Sequence, residues 1–166
     1  MKKFKMVPVL LILAMVMAMC PGFASQVEAA GTNIALNKPA SASSVFDAVT
    51  YSAGKAVDGK TCVDDSENCW ASANGQSTVN QWWKLDFGQG VNIGDVRIVF
   101  RAMNGRAYCI PTSITFQVSN DGTNWTTAIS KSTKVPGEST VYAETPYTYT
   151  LSRSGRYLRL LFEDGS

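Results

Sequence analysis

The sequence predicts an all-β sandwich. Apolar residues alternate with polar ones in a series of short segments, Asn-Gly and Asp-Gly pairs punctuate them, and no stretch sustains a helical period over three turns. Trp83, Leu85 and Phe87 alternate with Lys84 and Asp86, the pattern of a half-buried strand. Val96, Ile98 and Phe100 share a face opposite Arg97 and Val99. Ile114, Phe116 and Val118 repeat the pattern against Thr115 and Gln117, and Tyr147, Tyr149 and Leu151 do so against Thr148 and Thr150. Leu158, Leu160 and Phe162 close the series. Asn74-Gly75, Asn104-Gly105 and Asp121-Gly122 accept positive φ and mark turns between strands.

The first thirty residues read as a secretory signal peptide and not as part of the fold. Lys2, Lys3 and Lys5 form a basic start, and Val7 to Met19 carries no polar side chain. That run is shorter than the ~20 residues of a membrane-spanning helix. Val27-Glu28-Ala29 offers a cleavage site, with Gly22-Phe23-Ala24 as a second choice. Cys20 follows Met19, not the small residue of a lipoprotein signal.

Of the 15 Lys and Arg, three lie in this leader, as does one of the 13 Asp and Glu, so the remainder carries 12 of each and is neutral. A nucleic-acid partner, which would want a basic surface, is not expected. About 136 residues remain, enough for one domain with a single core. Export permits a disulfide. Cys62 and Cys69, separated by a short loop, are the first choice for it. Cys109 is then left over, and bonding of Cys109 to either of the others stays open. Zinc is a poor fit, with no histidine and no fourth thiol in this part.

Ser119-Asn120-Asp121-Gly122-Thr123-Asn124-Trp125 reads as a strand end running into an Asp-Gly turn, with an aromatic placed to pack as the chain returns. Four further pieces stand around it: Asn37-Lys38-Pro39-Ala40, Ala56-Val57-Asp58-Gly59, Trp82-Trp83-Lys84-Leu85-Asp86-Phe87-Gly88 and Arg156-Tyr157-Leu158-Arg159-Leu160. In this order they resemble the discoidin, or coagulation factor 5/8 type C, family, in its branch of bacterial carbohydrate-binding modules. The resemblance spans about Asn33 to Phe162. It implies a galactose-binding-domain-like jelly roll over residues 31–166, with Trp70, Trp83 and Trp125 in core or turn-packing positions. It also implies one more strand after Arg156 to Leu161, so the chain reads as the front portion of a longer protein with further domains beyond Ser166.

Two site expectations follow from the resemblance. Sugar-binding members place an arginine near the position of Arg101, with an asparagine a few residues on. Arg101, Asn104 and Arg106 are therefore candidates, since guanidinium offers donors in a fixed plane and Asn both donor and acceptor. Phe46, Tyr51 and Tyr108 are candidate platforms for the C–H face of a sugar. The chain departs from the family where galactose-binding members use a histidine. The segment Lys55-Ala56-Val57-Asp58-Gly59 resembles one that ligates a structural calcium through a backbone carbonyl at Lys55 and the carboxylate of Asp58. Asp64, in the expanded interval that follows, adds oxygen. The competing reading there is an Asp-Gly turn beside a disulfide.

The function implied is a secreted carbohydrate-binding module holding a larger protein or attached enzyme on a polysaccharide. The rival is an adhesion module that pushes Phe46, Val49 and Tyr51 into phospholipid or against a protein. Charge neutrality disfavours a membrane partner. Catalysis within these residues is not expected. There is no histidine for general-base work, no Gly-x-Ser-x-Gly elbow and no phosphate-binding glycine loop.

Overall fold

The computed structural model describes residues 31–61, 69–73 and 81–163. The expected leader, Cys62, Asp64 and the Asn74-Gly75 turn lie outside these residues. In chain order the elements are β1 (Ala40–Ala42), a short 3-10 helix (Ala53–Val57), β2 (Gln81–Ile98), β3 (Ala102–Met103), β4 (Arg106–Ala107), β5 (Ser113–Ser119), β6 (Thr126–Ser132) and β7 (Tyr147–Glu163). Five strands form an antiparallel sheet in the order β1-β2-β7-β5-β6, and β3 and β4 form a separate two-stranded ladder.

The period-2 pattern orients each strand as expected. Trp83, Leu85 and Phe87 of β2 pair with or neighbour Leu158 and Leu160 of β7. These in turn meet Phe116 and Val118 of β5, and all are buried. Phe116, Leu85 and Ile114 have no measurable exposure. Burial of each such side chain stabilises the fold by roughly 1.5–3 kcal/mol. Tyr149 packs its ring 4.6 Å from that of Phe116 and carries the core toward the far half of β7. The bent strands and the β3–β4 ladder enclose this core in a sandwich-like arrangement.

Segments that read as separate strands prove continuous. Trp83–Phe87 and Val96–Ile98 are two halves of β2, and Tyr147–Leu151 and Leu158–Phe162 are two halves of β7. The β2–β7 ladder shifts register between Asp86 and Val91 and again between Ile93 and Asp95. The first shift has a visible cause. Gly88 adopts φ 82, and Asp86 Oδ1 accepts its amide at 2.7 Å, so the carboxylate builds the irregularity that bends the strand. Phe100 lies beyond the end of β2, where its amide donates to the Tyr142 hydroxyl at 3.2 Å.

Trp70, Trp83 and Trp125 each pack against the rest of the fold. Trp83 donates Nε1–H to the Ala53 carbonyl at 2.9 Å and so ties the 3-10 helix to the sheet. Trp70 donates to the Ser44 carbonyl at 3.1 Å and lies 5.4 Å from the Phe162 ring. Trp125 lies 4.0 Å from the Arg159 guanidinium carbon. The Asp-Gly turn before it is held by Asp121. Its Oδ1 accepts from Thr123 N, Asn124 N and Ser119 Oγ, and its Oδ2 from Asn124 Nδ2. Those donors, first among them the Asn124 amide, hold the Asp121 carboxyl far below the usual carboxylate range.

Candidate functional site

Two loops bring the candidate binding residues together. The first leaves β1 at Ser43 and runs to the 3-10 helix. Its start is pinned to β2, because Ser43 Oγ and Ser44 Oγ both donate to Gln81 Oε1, at 2.5 and 2.6 Å. Asp47 Oδ1 then accepts the amides of Val49 and Thr50 at 3.0 and 2.7 Å, closing an Asx turn, and those bonds hold its carboxyl below the ordinary value. The Phe46 amide donates to the Ala71 carbonyl, and the Ala71 amide to the Tyr51 carbonyl. This clamp sets the Phe46 and Tyr51 rings edge to face at 5.5 Å. Phe46 is 49% exposed.

The second loop follows β2. Asn104 and Gly105 take φ 52 and 67, the paired positive angles of a tight hairpin turn, and this turn joins β3 to β4. Arg101 and Tyr108 flank the hairpin, and the Tyr108 amide donates to the Arg101 carbonyl at 3.1 Å. The Arg101 guanidinium carbon lies 6.0 Å from the Tyr51 ring centroid and 5.9 Å from that of Tyr108, at the outer reach of a cation–π contact. Arg101 thus joins the loops through Tyr51 and Tyr108, and Phe46 stands against Tyr51.

The other two candidates sit differently. Asn104 is exposed at the hairpin tip, where its αL conformation is a reason in itself for an asparagine. Arg106 donates Nη1–H to the Ser139 carbonyl at 2.9 Å and bridges to Val141, fastening the segment around Ser139 to β4. Glu138 in that segment accepts the Cys109 and Ile110 amides. Cys109 is an exposed free thiol, its pKa raised by partial burial against the opposing pull of Arg101.

At the calcium candidate, Lys55 lies within the 3-10 helix and Asp58 caps its end. Asp58 Oδ1 accepts the Lys60 amide at 2.9 Å, and the Val57 carbonyl accepts the Asn37 amide at 2.7 Å. Among the described residues no group of three or more acidic or thiol side chains gathers there. One carboxylate, half used in a turn, falls short of the six to eight oxygens calcium takes, so the described residues alone do not fit the ion.

Sequence reasoning did not single out an open cleft of about 450 Å³ lined by Lys134, Tyr142, Pro146 and Tyr147. None of the candidate binding residues lines it. The loop cluster, not this cleft, is where polar and aromatic candidate groups converge.

A family model for the F5/8 type C domain matches residues 39–166. The chain belongs to this family. Among solved structures, this F5/8 type C domain is similar to chitosan-binding module 1 of a chitosanase/glucanase from Paenibacillus sp. IK-5. The two share 30% identity over 82% of this chain and 90% of that one, with a TM-score of 0.59. A carbohydrate-binding module from Clostridium perfringens, in complex with GalNAc-β-1,3-galactose, shares the fold at 23% identity and TM-score 0.60, over 78% of this chain and 86% of that one. A Streptococcus pneumoniae fucose-binding module shares it at 20% identity and TM-score 0.54, covering 78% and 82%. No curated protein matches the chain. The family, the all-β class and the galactose-binding-like sandwich read from the ordered motifs are all upheld.

Proposed function

We propose that this F5/8 type C domain is a carbohydrate-binding module whose site is the loop cluster of Arg101, Tyr51, Tyr108 and Phe46. One observation carries the reading: Arg101, from the loop after β2, lies within about 6 Å of rings from two loop segments. Guanidinium N–H groups supply donors to ring hydroxyls, and the aromatic rings supply apolar surface for a pyranose face. The likeness at 30% identity to a chitosan-binding module supports the same class of partner. Asn104 and Arg106 stand at the rim as secondary contacts.

The domain is non-catalytic in this reading and serves to hold a larger protein or attached enzyme on a polysaccharide outside the cell. The leader over residues 1–30, further domains beyond Ser166 and a Cys62–Cys69 disulfide belong to the proposal. So does calcium at Lys55, Asp58 and Asp64. A single sugar binds weakly at so shallow a site, so repeated modules would gain by avidity.

The deciding experiment is a glycan array on the purified chain beside Arg101→Ala, with thermal melts showing both folded. A hit lost in the variant supports the proposal, and silence from a folded chain overturns it. The rival phospholipid reading draws on Val49, 84% exposed, beside Phe46 at the loop tip. Flotation with anionic vesicles at rising salt separates the two, since only lipid binding should weaken strongly.

A further inference from the structure

We propose a second binding face: the outer surface of the five-stranded sheet, centred on Lys84 and Arg159, receives an acidic polysaccharide strand. Lys84 of β2 stands directly opposite Arg159 of β7, and Gln117 of β5 stands on the other side of Arg159. Like charges facing each other across adjacent strands, about 4.8 Å apart, are destabilising. Asp86, two positions along β2 from Lys84, has its carboxylate taken by Arg156. The ion pairs among the described residues are Lys131–Glu163 and Arg156–Asp86, and neither includes Lys84 or Arg159. Arg159 instead directs Nε and Nη2 at the neutral Gln117 Oε1, at 3.0 and 2.6 Å.

Half-buried aromatic rings flank the two cations. Lys84 Nζ lies 5.7 Å from the Trp82 ring and 6.0 Å from the Tyr157 ring. Arg159 lies 4.0 Å from Trp125, and Arg156 lies 4.9 Å from Tyr157. A carboxylate seated between ammonium and guanidinium would relieve their repulsion through charge-assisted hydrogen bonds. The neighbouring rings offer surface to the sugar carrying it. Two features favour a polysaccharide over a membrane: the residues lie mid-strand on a sheet face, and the rings are half-buried and do not project as a bilayer wedge. The choice over a nucleic acid rests on the carbohydrate-binding reading proposed for the domain.

The test is native affinity electrophoresis of the purified chain in gels containing polygalacturonate or a neutral galactan. Lys84→Gln and Lys84→Glu are run beside Arg97→Gln, which removes one positive charge from an exposed position elsewhere on β2. The expected result is retardation by polygalacturonate that fades with salt and weakens about fivefold or more in Lys84→Glu, less in Lys84→Gln. Arg97→Gln should match the parent, and Lys84→Gln should melt no lower than it, because the substitution removes a repulsion. The proposal is overturned by no retardation in polygalacturonate, by equal retardation in both polymers, or by Lys84→Glu behaving like Arg97→Gln. Stronger binding to phosphatidylserine vesicles or single-stranded DNA than to polygalacturonate overturns it as well.

Discussion

Arg156 grips Asp86 with two parallel bonds across the β2–β7 ladder, Nε to Oδ1 and Nη2 to Oδ2, both 2.9 Å. The same carboxylate accepts the Gly88 amide, so one side chain holds both a cross-strand ion pair and the register shift that bends β2. The Arg156 bonds are the main cause that lowers the Asp86 carboxyl to about 2.

Acid should expose this pair. A carboxyl whose folded pKa is depressed contributes stability above its unfolded value, near 3.8, and loses it as pH falls toward about 2. Urea unfolding from pH 5 down to pH 2 should therefore show a declining midpoint in the parent. Asp86→Asn should start lower at neutral pH and decline less steeply through that window. Parallel declines in the two proteins would assign the acid sensitivity to other groups.

Phe116 lies at the centre of the core, with no measurable exposure and the Tyr149 ring 4.6 Å away. Phe116→Ala should cost about 3–5 kcal/mol. The check is a fall in the denaturant midpoint at constant slope. A cost below about 1 kcal/mol would show that the site collapses around the smaller side chain.

At the loop cluster, Tyr108 and Arg106 should separate. Tyr108→Ala should weaken binding of any glycan found on the array by about tenfold, the loss of roughly 1.4 kcal/mol of ring contact. Arg106→Ala should act first on structure, freeing the Ser139 carbonyl and speeding hydrogen exchange at the amides of Ala107 and Tyr142. Calorimetric titration and exchange mass spectrometry read the two effects.

Calcium held at Lys55, Asp58 and Asp64, as proposed, would have a thermodynamic signature. Excess calcium added to chelator-treated protein should raise its Tm, by about 2.7 kcal/mol of stability at a hundredfold excess over Kd. Asp58→Asn should remove the increment. An unchanged Tm would leave the segment around Asp58 as a turn, built by the Lys60 amide on its carboxylate.

The sequence by itself determined which residues face inward, because strand side chains alternate with period 2 and burial selects apolar ones. Trp83, Leu85, Phe116 and Leu160 needed no partner to be read as core. It also determined the turns at Asn104-Gly105 and Gly122, where φ between 52 and 77 is a local steric demand. Only the tertiary structure decided which loops meet. Tyr51 and Arg101 are fifty positions apart, and the contact depends on β1, β2 and the hairpin all docking on one core. Register was equally illegible. Alternation assigned Lys84 and Arg159 outward, but only pairing of the complete sheet set the two cations opposite each other. Local sterics and hydrophobic period act within a few residues, whereas cross-strand register depends on how the whole core packs.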